Sequence, residues 1–313
     1  MKWQALVGLT TLCIHVILAL WLLRHESLRP RWNPAKSREI ARFSLLTWFS
    51  NLGSVLFTQC DRLVIGRLLG AESLGIYGAV TTVTIQLNAL SNLPSQPLVP
   101  FISQIKTRRE FQNDTVRRQV QHSFEMNVLV ALGLGIALFV MASLILKIFF
   151  PPLLEKNYLA IFQIAVVITA VYSVNTTGYY LMLGVRAVKE CMWIQIVTAV
   201  VTLALIFLGA WWGGLLGAVV GSLGYQATWL YTILGMKKIE LPARAWLGWI
   251  GPYAMSFGAV ILLSLVLPPN LMLKTALTIA ALLSLGGVFL WRHRKQFLRS
   301  FKLPTYINSW RSW

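Results

Sequence analysis

Charged residues are scarce in this chain. They make up 12% of its 313 residues, and only 10 of them are acids, against 28 Lys and Arg. A soluble domain usually carries about twice that charged share. With 57% of residues hydrophobic, too few polar side chains remain to cover a water-facing exterior. A soluble enzyme, a coiled coil, a disordered chain and a DNA-binding domain are all excluded, and the solvent must be a bilayer. Cysteine is also sparse. Cys13, Cys60 and Cys191 lie in apolar runs, with no C-x-x-C and no His at ligand spacing, which argues against a disulfide framework or a metal site. The four histidines, His15, His25, His122 and His293, are scattered. No G-x-S-x-G, H-E-x-x-H or P-loop occurs, and no paired carboxylates converge on one face. Neither a cofactor nor catalysis is expected. A membrane polymerase would ordinarily need a sizeable outer loop, and no connection here is long enough for a folded extramembrane domain.

What is abundant is long apolar segments. A hydrocarbon core about 30 Å thick takes roughly 20 helical residues. The pattern predicts nine such spans: Ala5–Leu23, Phe43–Cys60, Leu74–Ser103, Phe124–Leu146, Tyr158–Leu183, Cys191–Leu208, Gly214–Gly235, Trp246–Leu267 and Leu271–Trp291. The third is overlong, and Pro94, Pro97 and Pro100 predict a break in its second half. The expected fold is therefore an all-α polytopic membrane protein with about nine transmembrane helices. Its parts would be a single helix at 1–24, a basic loop at 25–42, a helical domain at 43–235, two further helices at 246–291 and a basic tail at 292–313.

Lys and Arg set the expected orientation. With the N-terminus outside, 22 of the 28 basic residues fall on cytoplasmic segments. The +18 net charge then needs no nucleic-acid partner. A nascent chain beginning Met1-Lys2-Trp3 would have to send its N-terminus across unaided, and no signal-peptide cleavage pattern follows the first apolar run. The expectation is that this helix matches a later helix of a longer protein.

Polar residues inside the spans are the main functional clue, because such groups are costly in hydrocarbon unless they face protein or water. Ser44, Thr47, Asn51, Ser54, Thr58 and Asp61 recur at steps of three and four, which puts them on one helix face about 25 Å long. Asn88, Asn92 and Gln96 share a face of the third span beside its prolines. Each stripe reads either as a hydrogen-bonded seam against a neighbouring helix or as the wall of a wet cavity. Weaker stripes, at Thr169, Ser173, Thr176 and Tyr180 and at Gln195, Thr198 and Thr202, read as packing. Asp61 and Arg62 are expected where the second span meets the outer surface, with Arg67 five residues on. They form either a local ion pair or a guide for an anionic head group. Gly213, Gly217 and Gly221 read as tight helix packing. Sequon matches at Asn113 and Asn175 fall inside or within the membrane and are chance.

The motifs Asp61-Arg62-Leu63-Val64-Ile65-Gly66 and Leu68-Leu69-Gly70-Ala71-Glu72-Ser73-Leu74-Gly75-Ile76-Tyr77, before a polar helix with late prolines, resemble the polysaccharide-biosynthesis flippases of the multidrug/oligosaccharidyl-lipid/polysaccharide exporter superfamily. Lys156-Asn157-Tyr158 and the run Gly213 to Ala218 fit the same pattern. The resemblance implies two six-helix bundles around a central cavity, of which this chain carries the second, with two extra C-terminal helices. It implies alternating-access movement of polyprenyl-pyrophosphate-linked oligosaccharide between leaflets of a bacterial or archaeal cytoplasmic membrane. It also implies membrane lipids around the chain and a partner chain supplying the first bundle. Asn51, Thr58, Asp61, Arg62, Arg67, Asn88, Asn92 and Gln96 are the candidate substrate path. A drug or ion exporter of the same superfamily, or an inactive half-transporter, is the alternative.

Overall fold

The computed structural model describes residues 2–22, 33–105, 108–111, 113–150, 158–267 and 270–301. Among them every assigned element is helical, and no strand occurs. Six helical stretches are long and apolar enough to cross a membrane. In four of the six, only 17% to 28% of the most apolar window is buried in protein. The exposed remainder includes Leu63, Ile85, Trp193, Met255, Leu262 and Leu283. An outward face this apolar belongs in lipid. The protein is an all-α, multi-pass membrane protein.

The chain divides into two units, at Met1–Leu45 and Leu46–Trp313. The first holds α1 (Lys2–Leu22) and the start of α2 (Pro34–Asn92). On α1, Leu9, Leu12, Ile17 and Trp21 are all exposed.

The second unit holds the rest of α2, then α3 (Leu98–Ser103), α4 (Arg108–Phe111), α5 (Asp114–Val140) and α6 (Ala142–Phe149). After these come α7 (Leu159–Ser173), α8 (Thr176–Gly184), α9 (Val188–Gly221), α10 (Trp229–Lys238), α11 (Ala243–Val266) and α12 (Leu271–Phe301). Two glycines turn apparent single helices into hairpins. Gly70 (φ 84°, ψ 176°) and Gly214 (φ 58°, ψ −141°) lie in backbone regions that side chains disfavour. Beyond Gly70 the chain doubles back, so that Asp61 meets Tyr77 across the turn. Beyond Gly214 the pairing is backbone to backbone: Gly217 lies on Gly209, Gly221 on Leu205 and Ile206, and Gly224 on Thr202. A Cβ on Gly217 would overlap the Gly209 carbonyl. Of the expected tight glycine seam, Gly217 and Gly221 lie inside this hairpin, whereas Gly213 stands in open space. The two continuous stretches Gln59–Ser103 and Val188–Lys238, 45 and 51 residues long, each contain one such reversal.

The Gly214 hairpin is flanked by two matching chain reversals. Arg186 and Glu240 both have φ 58°, the left-handed conformation that ends helices. In each case the next N–H reaches back five residues: Ala187 to the Met182 carbonyl and Leu241 to the Met236 carbonyl, both at 2.9 Å.

Several boundaries differ from the sequence reading. The second span was expected to end at Cys60, but the helix runs on to the Gly70 turn. Arg62 and Arg67 interrupt the apolar window, yet they do not interrupt a backbone hydrogen-bond ladder. The basic segment expected as a loop at 104–123 contains α4 and the first turns of α5. There Asn113 caps the helix by accepting the Thr115 N–H at 3.0 Å, and Asp114 stands in the first turn. The last helix passes Trp291, the expected boundary, and continues to Phe301. Arg292 and His293 thus belong to the helix and not to a surface tail. The third span breaks as its prolines require, into a 3-10 turn at Leu93–Ser95 and the short α3.

The core of this unit runs along α5, with Phe124, Val128, Ala131 and Ile136 fully buried. Gly135 lets α7 and α11 close on it. A Cβ there would stand 2.7 Å from Ala170 Cβ and 3.0 Å from Phe257. Gly217→Ala is expected to lower the thermal unfolding midpoint of the purified protein in detergent, because the new methyl meets backbone. Gly213→Ala has open space around its Cβ and is expected to leave the midpoint unchanged or raise it.

Candidate functional site

The second unit encloses two cavities that share Asn88 and Tyr172. The larger, about 380 Å³, lies between the two arms of the Gly70 hairpin, α7 and the segment after the Gly214 hairpin. Gln59, Asp61, Arg62, Tyr77, Thr81, Thr84, Thr169, Ser222 and Tyr225 give it its polar lining. The smaller, about 190 Å³, is lined by Asn88, Asn92, Asn175, Thr176, Gln195, Thr228 and the four tyrosines Tyr172, Tyr179, Tyr180 and Tyr231. Among the described residues no ionised side chain lines it. Its walls are amides, hydroxyls and aromatic faces.

Several of the buried wall residues are held by a second polar group, as burial in an apolar medium favours. Asp61 is 4% exposed and Tyr77 2%. The Tyr77 hydroxyl donates to Asp61 Oδ2 at 2.8 Å, and the Arg62 backbone N–H donates to Oδ1 at 2.6 Å. Asp61 is therefore buried inside the hairpin, nine residues before its turn, and not at the outer surface as the sequence reading expected. Arg62 contributes its backbone to Asp61 while its side chain borders the cavity.

Asn127 of α5, fully buried, ties two helix breaks together. Its amide donates to the Ser91 carbonyl at 2.7 Å and to the Ser173 carbonyl at 3.2 Å. Ser91 lies where α2 gives way to the 3-10 turn, and Ser173 is the last residue of α7. Both carbonyls have lost their place in a helical ladder. Around the same junction the Asn88 amide donates to Ser173 Oγ at 3.0 Å, and the Ser95 and Thr177 hydroxyls lie 2.7 Å apart. Asn175, a sequon match by chance, donates to Thr228 Oγ1 and accepts from Thr232, each at 3.3 Å. The Tyr231 hydroxyl meets Gln195 Oε1 at 3.0 Å.

Of the sequence-selected residues, Asp61 and Arg62 line the larger cavity, Asn88 lines both and Asn92 lines the smaller. Gln96 is exposed and hydrogen-bonds Tyr180 in the smaller cavity's wall. Arg67 is exposed and lines neither. The side chains of Asn51 and Thr58 lie outside the described residues, as do those of Thr47 and Ser54. The weaker stripes divide. Thr169, Thr176, Tyr180 and Gln195 face cavities, whereas Ser173, Thr198 and Thr202 are buried in packing. The sequence reading named Tyr180 but missed Tyr172, Tyr179 and Tyr231, because an aromatic ring fits an apolar helix pattern. It also passed over Glu125, fully buried in α5. A lone acid at the edge of an apolar run was the available clue.

Nothing in this geometry pairs a nucleophile with a base. The surfaces offer hydrogen-bond donors and acceptors beside aromatic rings, within helices that cross a membrane. Residues 3–106 match the family model described as polysaccharide biosynthesis protein. That stretch contains Asp61, Arg62, Asn88, Asn92 and Gln96, and it carries the resemblance read from the motifs. The chain is thus a multi-pass membrane protein whose residues 3–106 are similar to the polysaccharide biosynthesis protein family. No curated protein matches the chain, and no solved structure does.

Tyr77→Phe leaves Asp61 Oδ2 without its buried donor and is expected to destabilise the fold by about 1–3 kcal/mol. Asn127→Leu strips two carbonyls of their partner and is expected to cost at least as much. Chemical unfolding in detergent, followed by far-UV circular dichroism, measures both.

Proposed function

We propose that this chain transports a lipid-linked oligosaccharide, moving a polyprenyl-pyrophosphate-linked sugar from the inner to the outer leaflet for surface polysaccharide assembly. The single observation that carries the reading is the pair of adjoining cavities within membrane-spanning helices, of which the smaller is lined by amides, hydroxyls and tyrosines with no ionised group. Neutral donors and acceptors suit a hydrated, polyhydroxylated cargo. A dense charge lattice would suit an ion. The family match over residues 3–106 supports the same pathway. In this reading the protein is a carrier and not an enzyme. It sits in a bacterial or archaeal cytoplasmic membrane with its basic connections inside, and a partner chain contributes a further helix bundle.

The test is leaflet reorientation of a labelled polyprenyl-pyrophosphate sugar in proteoliposomes. Asn88→Leu and Asn92→Leu are expected to lower the initial rate at least about tenfold, the factor that follows from losing one buried hydrogen bond to cargo. Arg67→Ala, outside both cavities, is expected to keep the wild-type rate. Movement of cationic drugs in place of the sugar lipid would overturn the reading in favour of an exporter. Equal rates in all variants would remove the cavities from the path.

A further inference from the structure

Glu125 lies apart from both cavities, at the end of the helices that carries the basic residues Arg117, Arg118, Arg244 and Arg294. It is fully buried, and its carboxylate is shared among three helices. From α5 itself, Gln121 Nε2 donates to Oε1 at 2.8 Å. From α11, the Tyr253 hydroxyl donates to Oε2 at 3.2 Å. From α12, Arg292 donates to Oε1 and His293 Nε2 meets Oε2, both at 3.2 Å. The titratable groups facing it are therefore His122 on its own helix, Tyr253 on α11, and Arg292 and His293 on α12.

Three features make this more than a static tie. First, Arg292 can only donate, so its hold on Glu125 depends on the lone pairs and charge of the carboxylate. With Gln121, the Tyr253 hydroxyl and His293 also at hydrogen-bond distance, the two carboxylate oxygens make four hydrogen bonds. A protonated carboxyl removes the charge that holds Arg292 and makes the other three partners rearrange around its O–H. Second, the Arg292 grip depends on a helix defect. Pro252 in α11 has no N–H, so the Gly248 carbonyl four residues earlier has no helical partner. Arg292 Nη2 takes that carbonyl at 3.0 Å, and Nη1 takes the adjacent Trp249 carbonyl at 3.2 Å. Third, the site has a second imidazole. The His122 ring stands edge-on to His293, centroids 4.8 Å apart, with its Nδ1 buried and without a hydrogen-bond partner. The Arg292 side chain is 22% exposed, which gives protons a way in.

We propose that Glu125 is a proton-binding site, and that its protonation releases α11 and α12 from α5. The ionised carboxylate docks the last two helices. Acid that protonates it undocks them. The inference stands whatever the transported cargo is.

The experiment is hydrogen–deuterium exchange by mass spectrometry on the full chain in lipid nanodiscs, corrected for the intrinsic pH dependence of amide exchange. It compares about pH 7 with about pH 3.5, a range that carries carboxylates from ionised to protonated. In the wild type, exchange in segments 244–253 and 286–294 is expected to rise roughly tenfold or more at the lower pH, while segment 200–212 stays constant. Glu125→Gln is expected to show raised exchange at both values and no pH response. Tyr253→Phe, a milder change that keeps the carboxylate, is expected to move the opening to higher pH. Wild-type exchange that is the same at both values would overturn the proposal. So would a Tyr253→Phe variant with an unshifted response.

Discussion

In hydrocarbon a polar atom must find its partner within the protein, and that constraint organises the second unit. Every break in a helix releases carbonyls that no water can reach. Asn127 answers two of them at once, at the end of α2 and the end of α7. Arg292 answers the one that Pro252 releases, together with its neighbour. The Tyr77 hydroxyl and a backbone N–H satisfy Asp61. Residues far apart in sequence are thereby fixed to one another by need, and the positions of the cavity walls follow from these fixings. Asn88 reaches both cavities because its amide is anchored on Ser173.

The helical class and most of the spans were legible in the sequence because they rest on composition and length. So were the proline break at Leu93–Ser95 and the glycine seam, since both residue types act on the backbone directly. What could not be read was where helices turn within a continuous stretch. Arg62 and Arg67 looked like the end of a span, while the turn itself came from Gly70, one glycine among several nearby. That single misplacement moved Asp61 from a surface to a buried hairpin. Part of the polar cavity wall was legible, as Asn88 and Asn92 of the strong stripe. The facing wall, with Tyr172, Tyr179 and Tyr231, was not. A tyrosine's ring fits an apolar pattern, and only the fold decides whether its hydroxyl meets a cavity. Glu125 was hidden for a related reason. Its partners Tyr253, Arg292 and His293 lie more than a hundred residues away.

The two polar regions of the second unit differ in kind. The cavities expose neutral groups to a volume that a guest can fill, and their hydrogen bonds are spread among hydroxyls and amides of similar strength. The Glu125 cluster lines neither of these volumes. Its charge-assisted bonds close on themselves. One region lines open space and the other ties α11 and α12 to α5, within a single helical unit.

The Gly214 hairpin combines two properties not often found together. Its arms touch through bare backbone at Gly209, Gly217, Gly221 and Gly224, so no side-chain layer lies between them to be repacked. At its two ends the chain passes through Arg186 and Glu240 in the same left-handed conformation. It is a stiff oar seated in twin rowlocks. Gln195, Thr228 and Tyr231 all stand on these glycine-joined arms, so three residues of the smaller cavity's wall belong to one closely paired piece.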